Sequence, residues 1–172
     1  MKKSTAMTGT LALALSCVAA PSFAANGMSN EKFVDKASAL NVGEINAAKQ
    51  ALDKSQSDEV KSFAQRMIDD HTKANEQLAE LAKQKNLEGK VSQHADVKSM
   101  ASSAELKLLS GNSFDKSYIK SQVSAHKTAI QTFQQEAEHG QDPDLKALAQ
   151  KILPTLKEHL ELANHLNQKL QK

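Results

Sequence analysis

Apolar residues recur at steps of three and four along four stretches of the chain, the spacing that lines one face of an α-helix. The first stretch carries Phe33, Ala37, Leu40, Glu44, Ala47 and Ala51; the second carries Val60, Phe63, Met67, His71, Ala74, Leu78 and Leu81. The third reads Ile119, Val123, His126, Ile130, Phe133 and Ala137, and the fourth Ile152, Leu156, His159, Ala163, Leu166 and Leu170. Each stripe is broken once, near its middle, by a polar residue.

Punctuation between the stripes agrees with four helices. Ser29 or Asn30 can cap the first, and Ser57 followed by Asp58 and Glu59 supplies a cap and favourable charge for the second. Asn86 and Gly89 end the second, Gly140 stops the third, and Asp142-Pro143-Asp144 starts the fourth with proline at its first position. Two tight helical hairpins result. Residues 60–68 (VKSFAQRMI) and 145–153 (LKALAQKIL) keep Lys, Ala and Gln in register, as diverged copies of one hairpin would.

A longer connection, residues 87–112, joins the hairpins. Within it Val97, Met100, Ala101, Ala104 and Leu108 fall at helical spacing, so a short extra helix is expected over residues 96–109, broken by Gly111, with Ser113 as the next cap. The expected fold is therefore all-α: an antiparallel, ferritin-like four-helix bundle with a short helix between helices two and three. A connection of this length permits a crossover topology without requiring one. Pro154 removes a backbone hydrogen bond in the fourth helix and predicts a kink that wraps it round the core.

The first 24 residues have the pattern of a secretory signal: basic Lys2 and Lys3, a short apolar run over residues 11–20, and Ser22-Phe23-Ala24 before a cut at Ala25. Residues 25–172 then form one domain. Leu15-Ser16-Cys17 faintly resembles a lipid-attachment box, but Ala14 stands where leucine is usual, and lipid anchoring at Cys17 is not the reading adopted. Cleavage removes the only cysteine, which leaves stability to packing, and no later segment is apolar enough to span a bilayer. A periplasmic location is expected.

Charge changes little. Removing Lys2 and Lys3 from 22 basic residues leaves 20 against 20 acidic ones, with no basic stripe. Trp is absent, and Phe33, Phe63, Phe114, Tyr118 and Phe133 fall on or near the apolar faces rather than forming a stacking platform, so no nucleic-acid partner is expected.

Candidate chemistry lies in the four interruptions. Glu44 lies 13 residues before Ser57 and His71 14 after it; His126 lies 14 before Gly140 and His159 16 after Pro143. At about 1.5 Å per residue, each pair is level across its hairpin. A lone buried carboxylate is costly, so one carboxylate and three imidazoles make better sense together, as ligands of a single transition metal ion, Zn, Cu or Fe. Asp70 and Glu158 precede stripe histidines as flanking candidates. Asn75 and Gln122 lie one turn from His71 and His126, where they could orient ligands. Met67, one turn before His71, reads first as core and secondarily as a soft copper ligand. His94, His139 and His165 read as surface residues. Metal affinity is expected to fall as pH drops through the range near 6.

The same residues carry a resemblance. Glu44, the run VKSFAQRMIDDHTKAN at 60–75, FDKSYIKSQVSAH at 114–126 and LPTLKEHLELA at 153–163, behind a secretory signal, are similar to a bacterial family of exported proteins labelled domain of unknown function 4142. The Asp70-His71 pair followed by Asn75 is the most specific part. The resemblance implies an envelope location and a four-helix, metal-binding ancestry, and brings no established activity.

The chain departs from the ferritin-type di-iron pattern, which places Glu-x-x-His on two helices. Ile68 stands three before His71 and Leu156 three before His159, and His126 replaces a carboxylate on the third helix. The expected function is metal handling or envelope stress protection, with no catalytic motif and with a possible envelope protein partner. Two alternatives remain at this level: a non-catalytic structural or interaction module with a buried His/Glu network, and an iron-dependent redox enzyme.

Overall fold

The computed structural model describes residues 27–172; the predicted signal and its cleavage site lie outside the described residues. Five α-helices account for most of the described residues: α1 (Asn30–Lys54), α2 (Asp58–Gln84), α3 (Val97–Lys107), α4 (Gly111–His139) and α5 (Pro143–Leu170). One 3-10 turn, Glu88–Lys90, follows α2, and no strand occurs among the described residues. The four stripes of the sequence fall on α1, α2, α4 and α5.

Helix starts follow the residues that can satisfy unpaired amide groups. Ser29 Oγ accepts from Lys32 N at 3.3 Å, and Ser57 Oγ from Val60 N at 3.4 Å. Asp142 Oδ1 accepts from Asp144 N and Leu145 N, with Pro143 in the first turn. Asn86 takes a left-handed conformation, φ 57°, and Leu87 N closes onto Ala82 O at 2.7 Å, which ends α2.

The start of α4 differs from expectation. Ser113 lies inside the helix and Ser110 is its cap, because Gly111 adopts φ 53°, open to glycine without penalty, and turns the chain directly from α3 into α4. Pro154 sits within α5, whose helical assignment continues through it.

These elements form a helical bundle. The main contacts run between α1 and α2, α4 and α5, α1 and α4, and α2 and α5. Gly27 packs on the carbonyl of His139, while Lys54 Nζ, at the other end of α1, reaches the carbonyls of Leu106, Lys107 and Leu109 just before α4. Lys85 binds Asp142 and Asp144 at 2.7 and 2.8 Å, and Lys169 pairs with Glu59, so each end of α2 meets the opposite end of α5. The 26-residue connection carries the chain along the outside, where α3 lies on α1 and α4.

The approach of α3 is close. A Cβ on Gly43 would lie 2.6 Å from Ser99 Cβ and Oγ, so glycine at this point of α1 makes room for α3 directly beside Glu44. The apolar spacing of α3 predicted the helix but not its orientation. Val97, Met100 and Leu108 are exposed, and Leu106 is the residue buried.

Two apolar clusters fill the interior. One gathers Met28, Phe33, Leu40, Leu78, Phe133, Leu145 and Leu156, with Phe33 edge-on to Phe133 at 5.4 Å. The other gathers Val60, Phe63, Met67, Phe114, Tyr118, Ile119 and Leu166 at the far end. Asn41, Glu44, His71, Gln122, His126 and His159 belong to neither and are all buried. The four stripe interruptions thus form a polar layer between two greasy ends, which is why each fell near the middle of its helix.

Candidate metal centre

Three of the four interruptions meet. His71 on α2, His126 on α4 and His159 on α5 bring one nitrogen each into a common space, with all three within 4.8 Å of one another. His71 Nε2 stands 3.4 Å from His126 Nε2, which stands 3.3 Å from His159 Nδ1. The rings are 5.3–5.5 Å apart at their centroids and are 3% exposed or less.

The other nitrogen of each ring faces an oxygen. His71 Nδ1 donates to Asn41 Oδ1 at 3.0 Å, His126 Nδ1 to the Gln122 carbonyl at 2.9 Å, and His159 Nε2 to Asp70 Oδ2 at 2.9 Å. Those partners hold the proton on the outward nitrogen, so each inward nitrogen carries a lone pair. Three lone pairs directed at one another at this distance repel unless something electrophilic sits between them. Nitrogens bound at about 2.0–2.1 Å to a tetrahedral ion stand about 3.3–3.4 Å apart. The two separations to His126 Nε2 match that geometry, the third pair lies within 4.8 Å, and outward N–H groups on carboxylate or carbonyl oxygens are the usual setting of ligating histidines.

Burial keeps His71 and His159 in the ligating form. Burial pushes His71 well below the ordinary imidazole value, reinforced by His126 and His159. His159 falls to about 4, chiefly through burial, which outweighs the opposing pull of Asp70. Asp70 is itself held by Arg66 Nε at 3.3 Å, and Arg66 Nη2 also binds Glu158 at 2.7 Å.

Glu44 does not join the three inward nitrogens. Its Oε1 lies 3.9 Å from His126 Nδ1, on the opposite side of that ring, and its Oε2 has no hydrogen-bond partner among the described residues. Burial raises its pKa, offset in part by His126 and by a hydrogen bond from the Gln122 side chain. The expected set of four therefore arrives as three imidazoles converging and one carboxylate behind them.

The flanking candidates separate in the same way. Asp70 orients His159, whereas Glu158 is exposed and reaches the site only through Arg66. Gln122 contributes its backbone carbonyl to His126 and its side chain to Glu44. Asn75 Oδ1 is buried without a hydrogen-bond partner among the described residues, and Met67 packs in the apolar cluster. Sequence reasoning missed Asn41, the partner of His71. Its position three residues before Glu44 puts it on the same face of α1, and that spacing was the available signal.

An opening leads to two of the rings, His71 and His159. A cavity of about 150 Å³ between α2 and α5 is lined by Asp70, His71, Lys73, Gln77, Lys151 and His159. With three nitrogens supplied by the protein, this opening offers solvent or a small molecule a route to a fourth coordination position.

The family described as Domain of unknown function (DUF4142) matches residues 17–166. This chain belongs to that family. None of the curated proteins matches it. Among solved structures it is similar to a DUF305 protein from Streptomyces coelicolor, described as secreted, with a TM-score of 0.71 at 16% identity, covering 83% of this chain and 94% of that one. That likeness is one of fold.

Proposed function

We propose that the chain is an exported protein that holds one transition metal ion, Zn, Cu or Fe, between His71, His126 and His159, in the service of metal handling or envelope stress protection. The observation that carries this reading is the convergence of three lone-pair nitrogens within 4.8 Å of one another, two of them at ligand spacing from His126, each ring oriented by an oxygen on its far side. Export is supported by the leader-like first 24 residues and by the description of the similar Streptomyces coelicolor protein as secreted. No helix of the described residues is long and apolar enough to cross a membrane.

The architecture we assign is an antiparallel four-helix bundle with ferritin-like crossover connectivity. The contacts between helix ends support it, since α1 and α4, like α2 and α5, meet start to finish. Glu44 is assigned a role beside the metal, lending negative charge behind His126 rather than ligating together with the other two rings. A single ion fits this donor set better than a carboxylate-bridged pair.

Metal analysis of untagged protein purified from the periplasm is expected to find one equivalent of transition metal. Metal-free protein that also shows no saturable binding of Zn, Cu or Fe at neutral pH would favour the rival reading, a packing network of histidines. Asn41→Ala is expected to weaken metal affinity by about 10–100-fold, because His71 loses the partner that sets its tautomer. Calorimetric titration measures this directly. Unchanged affinity would remove Asn41 from the site.

A further inference from the structure

The cavity beside His71 and His159 is built from the two helices that carry those rings, with Lys73 on α2 and Lys151 on α5 among its lining residues. Both lysines are exposed, and neither forms an ion pair among the described residues; Lys151 Nζ donates to the neutral amide oxygen of Gln77 at 2.9 Å. The acid in the same lining, Asp70, is occupied by His159 Nε2 at 2.9 Å and by Arg66 at 3.3 Å. Ala74, Ile152 and Leu156 supply apolar wall, and the Thr155 hydroxyl has no hydrogen-bond partner among the described residues. The lining thus carries unpaired positive charge and a free donor, while its acid is already paired.

A divalent ion held by His71, His126 and His159 keeps its full charge, because imidazoles ligate as neutral groups. Glu44 offsets part of it from behind the His126 ring, 3.9 Å from Nδ1, whereas the cavity lies at the other two rings. Closed structural sites complete four-coordination from the protein; three protein ligands leave one position for water or another ligand. A single water needs about 10–15 Å³ of such space, so the cavity of about 150 Å³ admits a ligand of several heavy atoms. Exchange of that water for an anion lowers the charge of the centre, and two unpaired lysines favour the exchange.

We propose that the free position of this centre takes a small inorganic monoanion, a pseudohalide or a small oxyanion, drawn in by Lys73 and Lys151, with the Thr155 hydroxyl free to donate to it. The lysines act over distance. Being exposed, they concentrate anions at the opening, and salt screens them over about 8–10 Å. The bond itself is made to the metal. This inference rests on the metal reading and deepens it: a centre that exchanges an outside anion is an open one, unlike an ion enclosed to staple the bundle.

The test strips the purified protein of metal and loads it with Co²⁺, whose visible absorption changes when a new ligand replaces water. Azide is the probe, and acetonitrile, linear and neutral, is the control of similar size. At about pH 7.5 azide is expected to change the visible bands saturably, and acetonitrile to leave them as they are over the same concentrations. Lys73→Gln combined with Lys151→Gln should weaken azide affinity about tenfold and make it less sensitive to salt, with Co²⁺ content at the wild-type level. Lys49→Gln, exposed on α1, should behave as the wild type. Bound Co²⁺ whose bands do not respond to azide would overturn the inference and leave the metal reading standing. So would equal responses to azide and acetonitrile, or unchanged azide affinity in the double variant. Protein that takes up no Co²⁺ would remove the metal reading itself and the inference with it.

Discussion

Saturating Zn²⁺ is expected to raise the melting temperature of the metal-free protein by about 8–16 °C, and His126→Leu to abolish most of that rise. A ligand at about 1,000 times its dissociation constant contributes about 4 kcal/mol to the folded state, and each kcal/mol shifts Tm by about 2–4 °C in a domain of this size. His126 is the decisive position because its Nε2 faces both other inward nitrogens. The substitution places an apolar residue among three helices and relieves lone-pair repulsion, so the metal-free variant should melt close to the wild type. His94→Leu, in the connection before α3, is the control and should keep the full shift. Equal shifts in all three proteins would remove His126 from the site and most of the case for a metal centre with it.

The second large effect is on pH. Metal affinity is expected to change little between about pH 8 and 5 and to collapse as pH approaches about 4. The sequence alone placed this loss near 6, where free imidazole titrates. Burial moves it down, since His71 lies well below the ordinary value and His159 at about 4. A base whose folded pKa is depressed binds fewer protons when folded. Its contribution to stability is complete above the unfolded value near 6.5 and is lost as pH falls toward the folded one. For His159 this corresponds to on the order of 3 kcal/mol. Glu136, which burial raises to about 7, acts in the opposite sense wherever it lacks a cation: its contribution is present below 4.5 and lost as pH rises to about 7. The two overlap in melting curves, so metal titration at pH 7.5, 5.5 and 4.5 is the cleaner measurement. A steep fall between 7.5 and 5.5 would contradict the lowered values of His71 and His159.

Several features were legible before any coordinates. Single polar residues at 44, 71, 126 and 159, each inside an apolar stripe, marked a buried layer, because helical period alone decides which residues share a face. Ser29, Ser57 and Asp142 marked helix starts through the same local chemistry that the structure uses. The helix over residues 97–107 was legible too, but its spacing did not say which side is covered, and Val97, Met100 and Leu108 face out. Periodicity reports a face and is silent on what covers it.

What the sequence determined by itself is local: helix positions, their ends, and the level at which polar groups enter the core. Those follow from spacing and capping within one segment. Tertiary structure decided which groups meet. Asn41, rather than Asn75, partners His71, and Asp70 reaches across to His159 on another helix. Glu44 stands behind His126 instead of beside the other two rings. The reason is rotational: one residue along a helix turns a side chain by about 100°, and the relative rotation and tilt of packed helices come from the fit of their side chains as a whole. A stripe is broad enough to place a ring in the core and too broad to aim its nitrogen.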